Sequence, residues 1–80
     1  MALTTARLVQ YLRQRTGVDD LDAETVLLSD GTLDSVGMLD LVVFVESEAG
    51  CELRQDDLTI ENFDTVSRIM ALVVTRATDS

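Results

Sequence analysis

Ser35 is the residue whose placement invites chemistry. It follows Asp34, a good helix cap, and opens the apolar run Val36-Gly37-Met38-Leu39-Asp40-Leu41. The first backbone N–H groups of a helix lack internal partners, and the helix dipole is positive at that end. A phosphate is stabilised there. A phosphodiester on the Ser35 hydroxyl would therefore sit in a favourable field. The competing reading is a serine that only helps to cap the helix.

Other chemistries fail on residue type or spacing. The chain has no histidine. That removes Ser-His and Cys-His nucleophiles and most zinc sites. Cys51 is the single cysteine, so there is no internal disulfide, and without a histidine partner it reads as a structural thiol. Asp19, Asp20, Asp22 and Asp30 invite a calcium loop, which needs glycine at its sixth position and glutamate at its twelfth. Counted from Asp20, those positions hold Thr25 and Gly31, so a solvated acidic loop is the better reading. No metal site and no catalytic residue are expected.

The elements that must position Ser35 follow from periodicity. A first helix is expected over about Thr4 to Thr16, with Leu8, Val9, Leu12 and Tyr11 on its apolar stripe and Gly17 at its end. A long loop over residues 18–34 follows, pinned to the core through Val26, Leu27 and Leu28. The second helix runs from Ser35 to about Ala49, closed by Gly50. Met38, Leu41, Val42, Val45 and Ala49 form its buried face, while Val36, Leu39 and Val43 widen the apolar surface beyond a normal stripe. After an extended stretch at Cys51 to Leu53, Asp56 to Ile60 make one helical turn with Leu58 and Ile60 inward. Asp64 caps a last helix over about Thr65 to Arg76, whose apolar face is Val66, Ile69, Met70 and Val73. Three longer helices, one short helix and a long first loop make an all-α, four-helix bundle in a single domain over residues 1–80.

Composition bounds the rest. With 80 residues and 46% hydrophobic side chains, the chain is globular but has room for one small core and no deep catalytic cleft. Fifteen acidic residues against six arginines and no lysine leave a formal net charge of -9. Nucleic acid and anionic membranes repel such a surface, and a basic protein partner is its complement. No apolar run spans a membrane and no signal pattern opens the chain, so a cytoplasmic monomer is expected.

Asp34-Ser35-Val36 resembles the Asp-Ser-Leu signature of acyl and peptidyl carrier proteins. The similarity extends to the Leu27-Leu28-x-Asp30-Gly31-x-Leu33 lead-in, to the helix closed by Gly50, and to Asp57-Leu58-Thr59 with Asn62-Phe63-Asp64-Thr65-Val66. It thus covers nearly the whole chain in the family's order. The resemblance implies a free-standing carrier that catalyses nothing itself. A phosphopantetheinyl transferase would move phosphopantetheine from coenzyme A onto Ser35, beside the Asp34 cap. The arm would hold cargo from an acyl- or aminoacyl-loading enzyme and present it to downstream biosynthetic enzymes. From the spacing of the second helix, Asp34, Gly37, Asp40, Val43 and Glu46 follow at intervals of three along a line beside the arm, and Gly37, Asp40, Val43 and Glu46 are the expected partner-binding residues.

The chain departs from the pattern in three ways. Val36 replaces the usual leucine, Gly37 stands where a polar residue is common, and the acidic face of the second helix is thin. The Gly31-x-Leu33-Asp34-Ser35 and Phe63-Asp64-Thr65 elements look closer to peptidyl, D-alanyl or other discrete specialised carriers. The rival class is an unmodified acidic helical module that binds a basic protein.

The charge excess has a measurable consequence. Self-repulsion on so small a body is screened by salt. The melting temperature at neutral pH is expected to rise with added salt, and further with divalent cations. A flat or falling trend with both would show that repulsion does not limit stability.

Overall fold

The structure, a computed structural model, describes residues 3–79. Among them are four α-helices and no strand: α1 (Thr5–Thr16), α2 (Ser35–Ala49), α3 (Ile60–Phe63) and α4 (Val66–Asp79). The expected all-α bundle is what the chain forms.

The first two helices end where local chemistry dictates. Thr4 caps α1 by accepting the Arg7 N–H at 3.1 Å. Gly17 (φ 77°) and Gly50 (φ 67°) close α1 and α2 in the left-handed region that glycine enters without strain. Leu8, Leu12, Leu41, Val45, Phe63, Val66 and Ile69 are fully buried, joined by Leu21 and Leu27 from the long loop. α4 packs against each of the other three helices and is the centre of the bundle.

α1 and α2 meet along an antiparallel seam of long side chains. Arg7 bonds Glu48 at 2.9 Å, Tyr11 stacks on Phe44 with ring centroids 4.0 Å apart, and Arg15 bonds Asp40 at 2.9 Å. The spacing of four on both helices puts each set on one face. The Arg7 guanidinium also lies over the Phe44 ring.

The region after α2 differs from expectation. The turn forms as a 3₁₀ segment at Gln55–Asp57, and α3 starts only at Ile60. Thr59 sets that start by accepting the Asn62 N–H at 3.1 Å. Ile60 points outward, at 58% exposure, and Phe63 takes the core position. Asp57 turns inward because Arg76 of α4 meets it twice, Nε to Oδ2 at 2.7 Å and Nη2 to Oδ1 at 2.6 Å. Val26, expected inside, is partly exposed, and Leu27 alone of its trio is fully buried.

Asp64 does not cap α4. Thr65 does, accepting the Arg68 N–H at 3.2 Å. Asp64 ends α3 and reaches back to the long loop instead. Its Oδ1 accepts the N–H groups of Leu28 (2.9 Å) and Ser29 (3.0 Å), its Oδ2 accepts the Ser29 hydroxyl, and its backbone carbonyl accepts the Leu27 N–H at 2.7 Å. The loop is further held where Ser67 N–H donates to the Ala23 carbonyl and Arg13 Nε to the Leu21 carbonyl.

Asp57 and Asp64 make acid stability a test of these ties. Hydrogen bonds from Arg76 hold the Asp57 carboxyl at a pKa of about 2, and those from the Ser29 hydroxyl and amide do the same for Asp64, against an ordinary 3.8. A depressed folded pKa adds stability that is complete above the ordinary value and lost as pH falls toward the folded one. Melting temperature is therefore expected to fall between pH 3.8 and about 2, and to fall less steeply in Asp64→Asn, which starts less stable. Parallel curves for the two proteins would show that Asp64 is not held in its charged form.

Candidate functional site

The site is the start of α2 and the loop that delivers it. Asp30 Oδ1 accepts the Thr32 N–H at 3.0 Å and the Thr32 hydroxyl at 2.7 Å, while Gly31 (φ 79°) turns the chain. Leu33 N–H then donates to the Leu27 carbonyl at 2.7 Å, closing the loop onto the residue that Asp64 anchors.

Asp34 is the cap. Its backbone is extended, its Oδ1 accepts the Gly37 N–H at 2.7 Å, and its carbonyl accepts the Met38 N–H at 2.8 Å. Ser35 is the first helical residue and is exposed. Its hydroxyl makes no hydrogen bond to a described residue, so it is not the cap. The N–H groups of Ser35 and Val36 are also without an acceptor among the described residues. A free hydroxyl beside two free amides at a dipole's positive end can take an anionic group.

Gly37 has a steric reason. A Cβ built there would lie 2.7 Å from Leu33 Cδ1 and 3.0 Å from Leu33 Cγ. The glycine lets buried Leu33 pack against the first turn of α2, which fixes the loop to the helix. Beside it, Arg15, Thr32, Asp34 and Gly37 help line a cavity of about 210 Å³.

The expected partner-binding line is interrupted. Asp34, Asp40 and Val43 are exposed, with Val43 at 66%. Gly37 is buried against Leu33. Glu46 is half-buried and its Oε2 accepts the Leu53 N–H at 2.8 Å, which ties the segment after α2 back to the helix. What the face offers instead is apolar. Val36 and Leu39 are 63% and 64% exposed and continue to Val43 at spacings of three and four. The signal in the sequence was an apolar surface too wide for one buried stripe. Val36 is thus a surface residue, and its shorter side chain changes the face rather than the packing.

At the far end of α2, Gly50, Cys51, Arg54 and Arg76 help line an open cavity of about 510 Å³. Burial, and then the charge of Glu46, push the Cys51 thiol up from its ordinary pKa. Among the described residues no group of three or more acidic or cysteine side chains could hold a metal ion, and no helix is long and apolar enough to cross a membrane. The chain matches no family model and no curated protein.

The Gly37–Leu33 contact can be tested by one added carbon. Alanine in a helix gains about 1 kcal/mol over glycine. Overpacking against a buried side chain costs about 1–3 kcal/mol. Gly37→Ala is expected to lower the melting temperature by several degrees, at about 4–8 °C per kcal/mol for a domain of this size. A higher melting temperature would show that Leu33 swings aside freely and does not fix the loop.

Proposed function

We propose that this chain is an acyl or aminoacyl carrier whose Ser35 takes a phosphopantetheine arm. The observation that carries the reading is the division of labour at the head of α2. Asp34 caps the helix, and the Ser35 hydroxyl is exposed and unengaged. A serine retained only for capping would be bonded to the first-turn amides, and this one is not.

The local groups fit the arm. The unpartnered N–H groups of Ser35 and Val36 can donate to phosphate oxygens, and the cap leaves the hydroxyl open to an approaching enzyme. In the transfer, a bond forms between Ser35 Oγ and phosphorus while the pyrophosphate bond of coenzyme A breaks. The hydroxyl proton passes to the transferase, and adenosine bisphosphate leaves. The bound arm supplies a thiol that holds cargo as a thioester. No residue of this chain acts as a catalyst in that scheme, so the chemistry belongs to the partner enzymes.

Val36, Leu39 and Val43 support the docking part of the reading. Three large apolar side chains exposed on one face, beginning next to Ser35, suit enzymes that must grip the helix while the arm enters them. Asp40 flanks that row. The same face would serve an unmodified interaction module, and the arm separates the two readings.

Co-expression with a broad-specificity phosphopantetheinyl transferase is expected to add the mass of one phosphopantetheine, measured on the intact protein. Ser35→Ala is expected to abolish the gain without loss of helical content. An unmodified wild type would favour the interaction module, and a modified Ser35→Ala protein would overturn the site.

A further inference from the structure

We propose that Arg15 is a specificity-determining residue: it holds Asp40 in an intramolecular ion pair that a partner enzyme's own cation must replace. The inference rests on the carrier reading, and asks which partners the α2 face admits.

Every carboxylate from Asp34 to Ala49 has a partner within the chain. Asp34 holds the Gly37 amide, Glu46 the Leu53 amide, Glu48 the Arg7 guanidinium and Asp40 the Arg15 guanidinium. The first two satisfy backbone groups that would otherwise be orphaned, so they are not open to exchange. Glu48 lies at the far end of α2 from Ser35. Asp40 alone combines exposure, an exchangeable partner and a place beside the candidate docking row. It follows Leu39 directly, and Val36 and Val43 lie four residues before it and three after.

The Arg15–Asp40 pair is also open to solvent. The two side chains are 38% and 57% exposed, against 19% and 6% for Arg76 and Asp57. An ion pair this exposed contributes little to stability and exchanges partners readily. An enzyme surface that covers Val36, Leu39 and Val43 would take water from the pair. An arginine or lysine on that surface can bond the second face of Asp40 or displace Arg15. A carboxylate there would take Arg15 instead. Arg15 therefore opposes the approach of the cation that Asp40 attracts, and the net electrostatic pull of this face is small for as long as the pair is closed.

The Arg7–Glu48 rung supplies the control, because it is the same chemistry in the same seam, away from Ser35. The rate of arm transfer from coenzyme A by a broad-specificity transferase is measured at low and high salt. Arg15→Gln is expected to raise the low-salt rate about threefold, with the gain gone at high salt. Arg7→Gln carries the same change in net charge and is expected to match the wild type. Asp40→Asn is expected to slow the Arg15→Gln protein and to leave the otherwise wild-type protein nearly unchanged. An Arg15→Gln rate equal to or below the wild type would overturn the proposal, as would an equal effect of Asp40→Asn in both backgrounds. A wild type that takes no arm at all would overturn the carrier reading, and the inference with it; altered rates require that reading to stand.

Discussion

The contact on which the site depends is made 29 residues away from Ser35, at Asp64. A bundle with no strand among its described residues has no ladder to hold a long loop, so the loop between α1 and α2 borrows its order from side chains. Asp64 gathers three donors from Leu28 and Ser29 on its carboxylate and a fourth from Leu27 on its carbonyl. Leu27 in turn accepts the Leu33 amide, and Leu33 lies in the notch that Gly37 leaves. Asp34 then caps the helix and Ser35 emerges. Each link is short, and each fixes the next. The corner between α3 and α4 is thereby part of the machinery that presents Ser35.

Much of this was legible in the sequence. Glycines at 17 and 50 and the cap at Asp34 mark their helix ends, because those signals are local and steric. The buried faces of α1, α2 and α4 follow from periodicity. The misreadings share one cause. Asp64 and Thr65 are both good caps, and their order alone does not say which serves α4 and which serves the loop. Asp57 and Ile60 exchange expected places because Arg76, distant in sequence, makes a buried position suitable for a carboxylate. At the site, Ser35 and Asp34 were readable, while the inward turn of Glu46 depends on where Leu53 lies. The cap and the helix start are local signals, and the selection among equivalent acids is tertiary.

The acidic balance looks different once partners are assigned. Arginines are few, yet Arg7, Arg15 and Arg76 bond carboxylates, and Arg13 and Arg68 bond backbone carbonyls. Two of the ion pairs fall on one seam, where they flank the Tyr11–Phe44 stack and link α1 to α2 through long side chains. On α2, Asp40 and Glu48 are thereby paired with arginines of α1, while Asp30 and Asp34 beside Ser35 hold backbone amides.

The raised pKa of Cys51 bears on the fate of any cargo. A thioester is lost when a neighbouring thiolate attacks its carbonyl, and the thiol form does not do this. Cys51 sits beyond the end of α2 opposite Ser35, partly buried and next to Glu46, and both effects disfavour its thiolate. The chain's one thiol is thereby at the other end of the helix and biased toward its less nucleophilic form. On the proposed carrier reading, such a thiol would compete poorly with the arm's own for an acyl group.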